Sequence, residues 1–187
     1  MRQNPDSDVA VLTVREMNGG DIDAIADYWL HSDPDFLVSM GVDLDKVPPR
    51  ADFIEMLQGQ LQKPTAEKQS YCLIWEIDGE SAGHCNINNI TFGKEASMHL
   101  HLWRPHLRQK GIGLKLLGMS LPYFFSSMQL KNLVCEPRAE NMAPNKALEK
   151  LGFTYIRSYL TVPGSINYEQ VVKRWELSFQ AFEALSR

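Results

Sequence analysis

A basic, glycine-containing turn between a strand pattern and a helix pattern constrains the fold of this chain most. Residues 96–103 alternate in polarity, which is typical of a half-buried β-strand, and the apolar run at 114–121 predicts a helix. Between them, residues 108–113 read Arg-Gln-Lys-Gly-Ile-Gly. A helix that begins at such a turn offers unpaired backbone N–H groups and the positive end of its dipole, and glycine allows a ligand to approach closely. The turn therefore predicts an anion site, and phosphate is the anion that such sites favour.

The other runs predict one α+β domain at residues 9–187, preceded by a polar, disordered segment at 1–8. Asp78-Gly79 is a strong hairpin signal, so three consecutive antiparallel strands precede the basic turn. Asp21 is expected to cap the first helix, and Gly152 is expected to end the last one in a left-handed conformation. Strands are predicted at 9–17, 70–77, 80–88, 96–103, 132–135, 153–160 and 170–177, and helices at 21–32, 34–40, 50–62, 114–127 and 143–151.

Composition and charge argue against several classes of protein. The formal net charge of −4 disfavours nucleic-acid binding. No apolar run approaches the ~20 residues of a membrane span, and residues 1–8 lack the apolar stretch of a signal peptide. Cys72, Cys85 and Cys135 are odd in number and too widely spaced for a disulfide framework or a cysteine zinc site. We therefore expect a cytoplasmic protein with reduced thiols and no nucleic-acid or membrane partner.

The glycine turn can be compared with three phosphate-binding patterns. The dinucleotide fingerprint requires a glycine where Leu116 stands, and a P-loop requires Gly-Lys-Ser/Thr at its end. The remaining pattern is Arg/Gln-x-x-Gly-x-Gly/Ala between a strand and a long helix. It resembles the acyl-CoA pyrophosphate loop of the GNAT N-acetyltransferase superfamily. A basic turn that only caps an ordinary helix is the alternative interpretation of this segment.

A second motif lies at residues 140–153, Glu-Asn-Met-Ala-Pro-Asn-Lys-Ala-Leu-Glu-Lys-Leu-Gly-Phe. It is similar to the later GNAT signature, in which an asparagine precedes a helix that ends in Glu-Lys-x-Gly-Phe. This variant is nearest the branch that includes ribosomal-protein N-terminal acetyltransferases. The succession of strands and helices also fits the family from residue 9 to residue 177. The resemblance implies a mixed, mostly antiparallel sheet of about seven strands, flanked by helices and splayed between strands four and five.

The resemblance also implies acetyl-CoA as the acyl donor. Its pantetheine arm would enter the gap between strands four and five and pair with the backbone of the fourth strand. Residues 104–115 are basic without an acid among them, which complements a pyrophosphate. No metal is expected, because no carboxylate or cysteine completes a ligand set beside the histidines. The implied donor-binding residues are Leu102 and Trp103 on the strand, Arg108, Gln109, Lys110, Gly111, Ile112, Gly113 and Leu114 in the turn, and Asn141 and Asn145 beside the pantetheine arm.

Acetyl transfer to an amine needs a proton acceptor, a hydrogen-bond donor for the thioester oxygen and a proton for the leaving thiolate. The resemblance implies that a backbone N–H near Leu102 or Trp103 is the oxygen donor. It also implies a tyrosine acid where this chain has Leu148, so a water is the alternative acid. For the base, His99 and His101 share one face of their strand. An imidazole pair with a pKa near neutrality suits amine deprotonation, and these two histidines are the predicted bases.

The His99-Leu100-His101 pattern is also similar to the strand-four histidine pair of arylalkylamine N-acetyltransferases. On the neighbouring strand, His84, Asn86 and Asn88 share a face, so two polar rows are expected to meet. A structural role as hydrogen-bonded sheet residues is the alternative for these histidines. Glu136, just after the fifth strand, is a third candidate base, and its alternative is a solvated loop carboxylate.

The acceptor is predicted to be a primary amine, either a small amine or a peptide N-terminus, that attacks acetyl-CoA directly in a ternary complex. Residues 20–55 carry nine acidic side chains against Lys46 and Arg50, and an acidic mouth would attract a cationic amine. A solvated helical surface is the plain alternative. The alternative function is a non-catalytic acyl-CoA-binding sensor or partner module. The oligomeric state is not readable from the sequence, although the strand at 170–177 could pair across a homodimer.

Overall fold

A computed structural model describes residues 10–108 and 110–185. The segment 1–8, predicted to be disordered, and the donor-site candidate Gln109 lie outside the described residues. The strands are β1 (Leu12–Glu16), β2 (Ser70–Ile77), β3 (Glu80–Thr91), β4 (Glu95–Leu102), β5 (Asn132–Cys135), β6 (Thr154–Thr161) and β7 (Gln170–Ser178). The helices are α1 (Ile22–His31), α2 (Pro34–Ser39), α3 (Arg50–Gln62), α4 (Ile112–Ser127), α5 (Met142–Lys150) and α6 (Phe179–Leu185).

The seven strands form one sheet in the order β1-β2-β3-β4-β5-β7-β6. Because β7 pairs with β5 on one side and β6 on the other, it is not an edge strand, and the expected dimer pairing through residues 170–177 was wrong. Neighbouring strands are antiparallel except for β4 and β5, which run parallel. The pairing of β4 with β5 ends at Ser97 and Val134, whereas β4 itself continues to Leu102. The sheet therefore splays between its fourth and fifth strands, and the predicted fold class is confirmed.

Glycine and aspartate signals account for two of the turns. Asp78 and Gly79 both have positive φ, 54° and 80°, as a two-residue hairpin turn between β2 and β3 requires. Gly152 ends α5 with a φ of 80°. Both predictions are confirmed, because each position needs a left-handed backbone that glycine or aspartate adopts readily.

Helices cover both faces of the sheet, and two apolar clusters hold them there. On one face, α4 and α5 bury side chains such as Leu116 and Leu148. On the other face, α1 and α3 bury Ile25 and Leu57 against Ile74 of β2. Burial of each such side chain stabilises the fold by about 1.5–3 kcal/mol. The two faces are called below the α4–α5 side and the α1–α3 side.

Asp21 does not cap α1 with its side chain, so that prediction was wrong. Asp21 occupies the N-cap position, but its carboxylate makes no capping bond to α1. It accepts instead from Arg15 Nη1 and Nη2, at 2.7 and 2.8 Å, and from the backbone N–H of Asn18 at 2.9 Å. A guanidinium offers stronger, charge-assisted hydrogen bonds than a helix N–H group does.

The sequence predicts no element after residue 177, but α6 follows β7 directly. Phe182 of this helix stacks on Phe125, with 4.9 Å between ring centroids. A Cβ at Gly152 would lie 2.3 Å from Leu185 Cδ1, so α6 also packs closely on the end of α5. These contacts are tertiary and leave little local signal in the sequence. Within the described ranges, no helix is both long enough and apolar enough to cross a membrane.

Candidate active site

A cleft opens through the sheet where β4 and β5 diverge. Its wall at the gap includes the three candidate bases, His99, His101 and Glu136. The structure thus brings two histidines of β4 together with a carboxylate that follows β5. The α4–α5 side of the cleft contributes Leu100, Asn141 and Pro144, and the α1–α3 side contributes Met40, Val42, Asn167 and Gln170.

The end of β4 determines which backbone groups face this gap. The N–H of Trp103 donates to Ala82 O of β3 at 2.8 Å. Successive residues of a strand direct their backbone groups to opposite sides, so those of Leu102 point away from β3 and toward the gap. Leu102 O accepts from Arg108 Nε and Nη2, at 3.3 and 3.1 Å. The N–H of Leu102 therefore suits pairing with a ligand in the gap, whereas the N–H of Trp103 is already used.

The start of α4 has the geometry of an anion site. Gly111 immediately precedes the helix with a φ of 77°. A Cβ at Gly111 or Gly113 would meet nothing within 4 Å, so the backbone there is open to approach. The first N–H groups of a helix have no intrahelical acceptor, and the helix dipole adds positive potential. Lys110 and Lys115 are exposed beside them. This end of α4 fits a pyrophosphate.

The other two basic side chains predicted for this edge are engaged elsewhere. Arg104 pairs with Glu80 at 2.8 Å. The guanidinium of Arg108 lies 3.7 Å from the ring centroid of Phe36 on α2, and burial lowers its pKa. The free positive charge at this edge therefore comes from the two lysines. Arg108 links the end of β4 to α2.

The two predicted asparagines have different surroundings. Asn145 is buried and donates from Nδ2 to Arg138 O at 3.0 Å and to Asn141 O at 2.7 Å. Its Oδ1 accepts from Trp175 Nε1 at 2.8 Å. Asn145 thus holds the loop before α5 against β7. The side chain of Asn141 lines the cleft and does not cap α5, so it is the asparagine available to a ligand.

The polar rows of β3 and β4 meet on one face, as predicted. His84 pairs with His101 and Asn86 with His99 in the antiparallel register. The rings of His84 and His101 stack, with 4.6 Å between their centroids. His99 Nε2 lies 3.1 Å from Asn88 Oδ1. The three histidines therefore share the α1–α3 face of the sheet, and they are called the histidine cluster below.

These histidines are not poised near neutral pH. Burial lowers the pKa of His84 to about 3 and the pKa of His101 well below its ordinary value. Burial also lowers the pKa of His99 to about 4, although the nearby charge of Glu136 favours the imidazolium. The expectation of a near-neutral pair was wrong, because helix packing removes water from the rings and disfavours their charged form. All three imidazoles are neutral at pH 7.

A tyrosine that the sequence pattern did not single out completes this cluster. Tyr28 on α1 is buried, and its hydroxyl lies 3.3 Å from His101 Nδ1 and 3.8 Å from Met40 Sδ. Burial raises the pKa of Tyr28, so it stays protonated at neutral pH. The sequence signal that could have placed Tyr28 on the buried side of α1 is its position three residues after Ile25. Leu148, where a tyrosine was expected, is fully buried in the core.

Glu136 is held in place rather than solvated. Its Oε1 accepts from Arg174 Nη1 at 3.1 Å and from the hydroxyl of Tyr159, and its side chain is 20% exposed. These contacts fix the carboxylate at the wall of the cleft. In the part of the chain that the structure describes, no three His, Cys, Asp or Glu side chains are grouped as metal ligands.

Among the described residues that line the cleft, the acidic segment at 20–55 contributes two apolar side chains, Met40 and Val42. Its carboxylates are partly neutralised on the surface. Arg50 pairs with Asp23 at 2.6 Å and with Asp27 at 2.5 Å. The solvated helical surface therefore describes this segment better than an acidic mouth does.

The fold resembles solved acetyltransferases. The spermidine N-acetyltransferase from Vibrio cholerae, in complex with CoA and spermine, aligns with a TM-score of 0.74 and 18% identity over 92% of this chain and 98% of that chain. RimL, a ribosomal L7/L12 alpha-N-protein acetyltransferase in complex with coenzyme A, aligns at 0.73 and 16% identity over 91% and 95%. The aminoglycoside acetyltransferase AAC(6')-Ib, with coenzyme A and kanamycin, aligns at 0.72 and 17% identity over 95% and 100%. No curated protein matches the sequence.

The sequence model of the acetyltransferase (GNAT) domain matches residues 12–154. That range contains most of the chain and both motifs, the glycine turn before α4 and the asparagine-containing segment around α5. The splayed sheet and the open start of α4 are the structural counterparts of those motifs. This chain therefore belongs to the GNAT acetyltransferase family.

Proposed function

We propose that this protein is an N-acetyltransferase that moves the acetyl group of acetyl-CoA to a primary amine, either a small amine or a peptide N-terminus, by direct attack in a ternary complex. The cleft at the β4–β5 splay is the observation that supports this most. It is lined from both faces of the sheet, with His99, His101 and Glu136 on its wall. A donor and an acceptor can therefore meet at one gap from opposite sides.

Acetyl-CoA would supply the activated acyl group as a thioester. The backbone of Leu102 would pair with the pantetheine arm, and its N–H would stabilise the thioester oxygen as negative charge develops there. The N–H groups of residues 110–114 and the two exposed lysines would hold the pyrophosphate. Asn141 would contact the arm, and Asn145 would keep Asn141 in position through its hydrogen bond to the backbone of that residue.

The low histidine pKa values determine that the acceptor must lose its ammonium proton before it attacks the thioester. An alkylammonium has a pKa of about 10, so transfer of its proton to His99, with a pKa of about 4, costs on the order of 8 kcal/mol. The amine therefore attacks as the neutral base. Its nitrogen becomes acidic as it bonds to the acyl carbon, and a neutral imidazole or the Glu136 carboxylate accepts that proton. The C–S bond then breaks, and CoA leaves as a thiolate that water protonates.

Hydrogen bonds specify which imidazole nitrogen is free to accept that proton. Asn88 Oδ1 accepts from His99 Nε2–H, which leaves Nδ1 of His99 free. The hydroxyl of Tyr28 forms a hydrogen bond with His101 Nδ1, and this bond orients the His101 ring. Tyr28 is therefore a positioning residue for His101.

A thiol-release assay with acetyl-CoA and a panel of primary amines tests this proposal. Amine-dependent release of CoA, with an acetylated product, would support it. His99→Ala, His101→Ala and Glu136→Gln then identify the base, because loss of that residue should lower kcat by about 10²-fold or more. His106→Ala, in an exposed turn, is the control. If acetyl-CoA raises the melting temperature but no amine is acetylated, a non-catalytic acyl-CoA-binding role replaces this proposal.

A further inference from the structure

The side-chain amide of Gln170 places a buried, unpaired oxygen at the candidate active site. Gln170 begins β7, lines the cleft and is 5% exposed. Its Oε1 is buried, and no described residue donates a hydrogen bond to it. Buried carbonyl oxygens in folded proteins nearly always have a hydrogen-bond donor. An unpaired acceptor on a residue that lines the candidate active site therefore points to a donor on the ligand.

The amide nitrogen of Gln170, Nε2, sets the orientation of this side-chain amide. Gln170 Nε2 donates to Gly41 O at 3.2 Å and lies 3.5 Å from Tyr168 O. Exchanging Nε2 and Oε1 would set the oxygen against two carbonyl oxygens, so the amide cannot flip without loss. Gly41, with a φ of 93°, also leaves the room that this amide needs, because a Cβ there would lie 2.1 Å from Oε1.

The surroundings of Oε1 favour an uncharged donor over a cation. Met40 and Val42 provide apolar wall beside it. The charged side chains among the described residues that line the cleft are already paired: Glu136 with Arg174 at 3.1 Å, and Arg138 with Glu140 at 2.8 Å. A polycation would find little uncompensated negative charge in this cleft. A neutral N–H next to an apolar group matches both the unpaired oxygen and the apolar wall.

We propose that Gln170 Oε1 accepts a hydrogen bond from an amide N–H of the acceptor. The preferred acceptor is then a primary amine that carries a neighbouring amide and an apolar side chain, and a polyamine is disfavoured. This inference rests on the proposed N-acetyltransferase function and names the substrate class of the same site. Gln170 contacts substrate in this proposal and takes no part in proton transfer.

Two acceptors that differ only at the proposed contact provide the test. Leucine N-methylamide has the amide N–H, and leucine methyl ester has an oxygen in its place. The wild-type protein should acetylate the amide with a kcat/KM roughly 10-fold higher than the ester, mostly through KM, as loss of one buried hydrogen bond predicts. Gln170→Met keeps the volume and removes the acceptor, so it should bring the ratio close to one.

A control variant separates recognition from loop stability. Asn167 Nδ2 also donates to Gly41 O, at 2.9 Å, so Asn167→Ala loosens the same loop without removing the unpaired oxygen. This variant should keep the amide-to-ester preference. The same preference in wild-type protein and in Gln170→Met would overturn the assignment of Gln170, as would spermidine being the better acceptor. A wild-type ratio near one would overturn it even if Gln170→Met failed to fold.

Failure of this inference can be distinguished from failure of the proposed function. If the wild-type protein acetylates both leucine derivatives equally, the N-acetyltransferase proposal stands and the role of Gln170 is rejected. If it binds acetyl-CoA but acetylates no amine, both proposals are rejected. A rise in melting temperature with acetyl-CoA in Gln170→Met shows that the donor site is intact in that variant.

Discussion

The indole Nε1 of Trp103 donates a 2.7 Å hydrogen bond to Nδ1 of His84. This bond ties the residue that follows β4 to the middle of the sheet and places the proton of His84 on Nε2. His84 stacks on His101, so the position of a candidate base depends on this pair. The sequence predicts that the backbone of Trp103 contacts the acyl donor. In the structure, its side chain hydrogen-bonds to the histidine cluster.

Trp103→Phe should destabilise the fold. It keeps an aromatic ring but leaves buried Nδ1 of His84 without a donor, which costs about 1–3 kcal/mol and is measurable by urea unfolding at neutral pH. Trp29→Phe is the matched control, because Trp29 packs on His101 at 4.8 Å while its indole N–H has no acceptor among residues 10–108 and 110–185. Equal losses in the two variants would mean that the hydrogen bond of Trp103 adds no stability.

Folding stability should decrease as the pH falls from about 6.5 toward about 5. The pKa of His84 is about 3 and that of His99 about 4 in the folded chain, against about 6.5 in an unfolded one. The unfolded chain therefore binds more protons in this window, and each of these two histidines adds a limiting slope of about 1.4 kcal/mol per pH unit.

Urea unfolding across this pH window measures the slope. His84→Gln should make it shallower, whereas His106→Gln, at an exposed position, should keep the wild-type slope. Stability that does not change with pH across the window would contradict the buried neutral state of the cluster.

Gly111→Glu should abolish stabilisation by acetyl-CoA. It brings backbone strain of about 1 kcal/mol or more, and a negative charge, to the start of α4. Gly93→Glu is the matched control, because Gly93 has a φ of 72° against 77° for Gly111, and a Cβ at either meets nothing within 4 Å. Both variants should lose similar stability without donor. The rise in melting temperature with acetyl-CoA should disappear only in Gly111→Glu, and its persistence there would exclude this turn from the donor site.

Asn145→Leu should cost stability, whereas Asn141→Ala should cost donor affinity. The first change removes three hydrogen bonds, of which the one from Trp175 is fully buried, and leaves their partners unpaired, for a loss of about 2–4 kcal/mol in urea unfolding. Asn141→Ala removes a side chain that lines the cleft without capping α5. Its unfolding free energy should stay near wild type while its Kd for acetyl-CoA, measured by calorimetry, rises. An unchanged Kd would remove Asn141 from the donor site.

Local patterns in the sequence are sufficient where the structure depends on near neighbours. Alternation at residues 96–103 places His99 and His101 on one face, because strand geometry repeats every two residues. Gly111 and Gly152 both adopt the left-handed backbone. The two motifs identify the family because each is a short, continuous segment, so its residue pattern can be read without knowing the tertiary structure. In contrast, α6 has no strong local signal and forms through the contact of Phe182 with Phe125.

The sequence by itself therefore determined the family, the order of the strands and helices as far as β7, and the strand that carries the candidate bases. Only the tertiary structure decided which basic side chains are unpaired at the donor site and which histidines are neutral. Arg104 is engaged by Glu80, 24 residues away, and the cleft joins Met40 to Gln170 across most of the chain. The histidine pKa values depend on burial under α1, which no pattern within β4 encodes. Desolvation and long-range hydrogen bonds act between segments that become neighbours only when the chain folds.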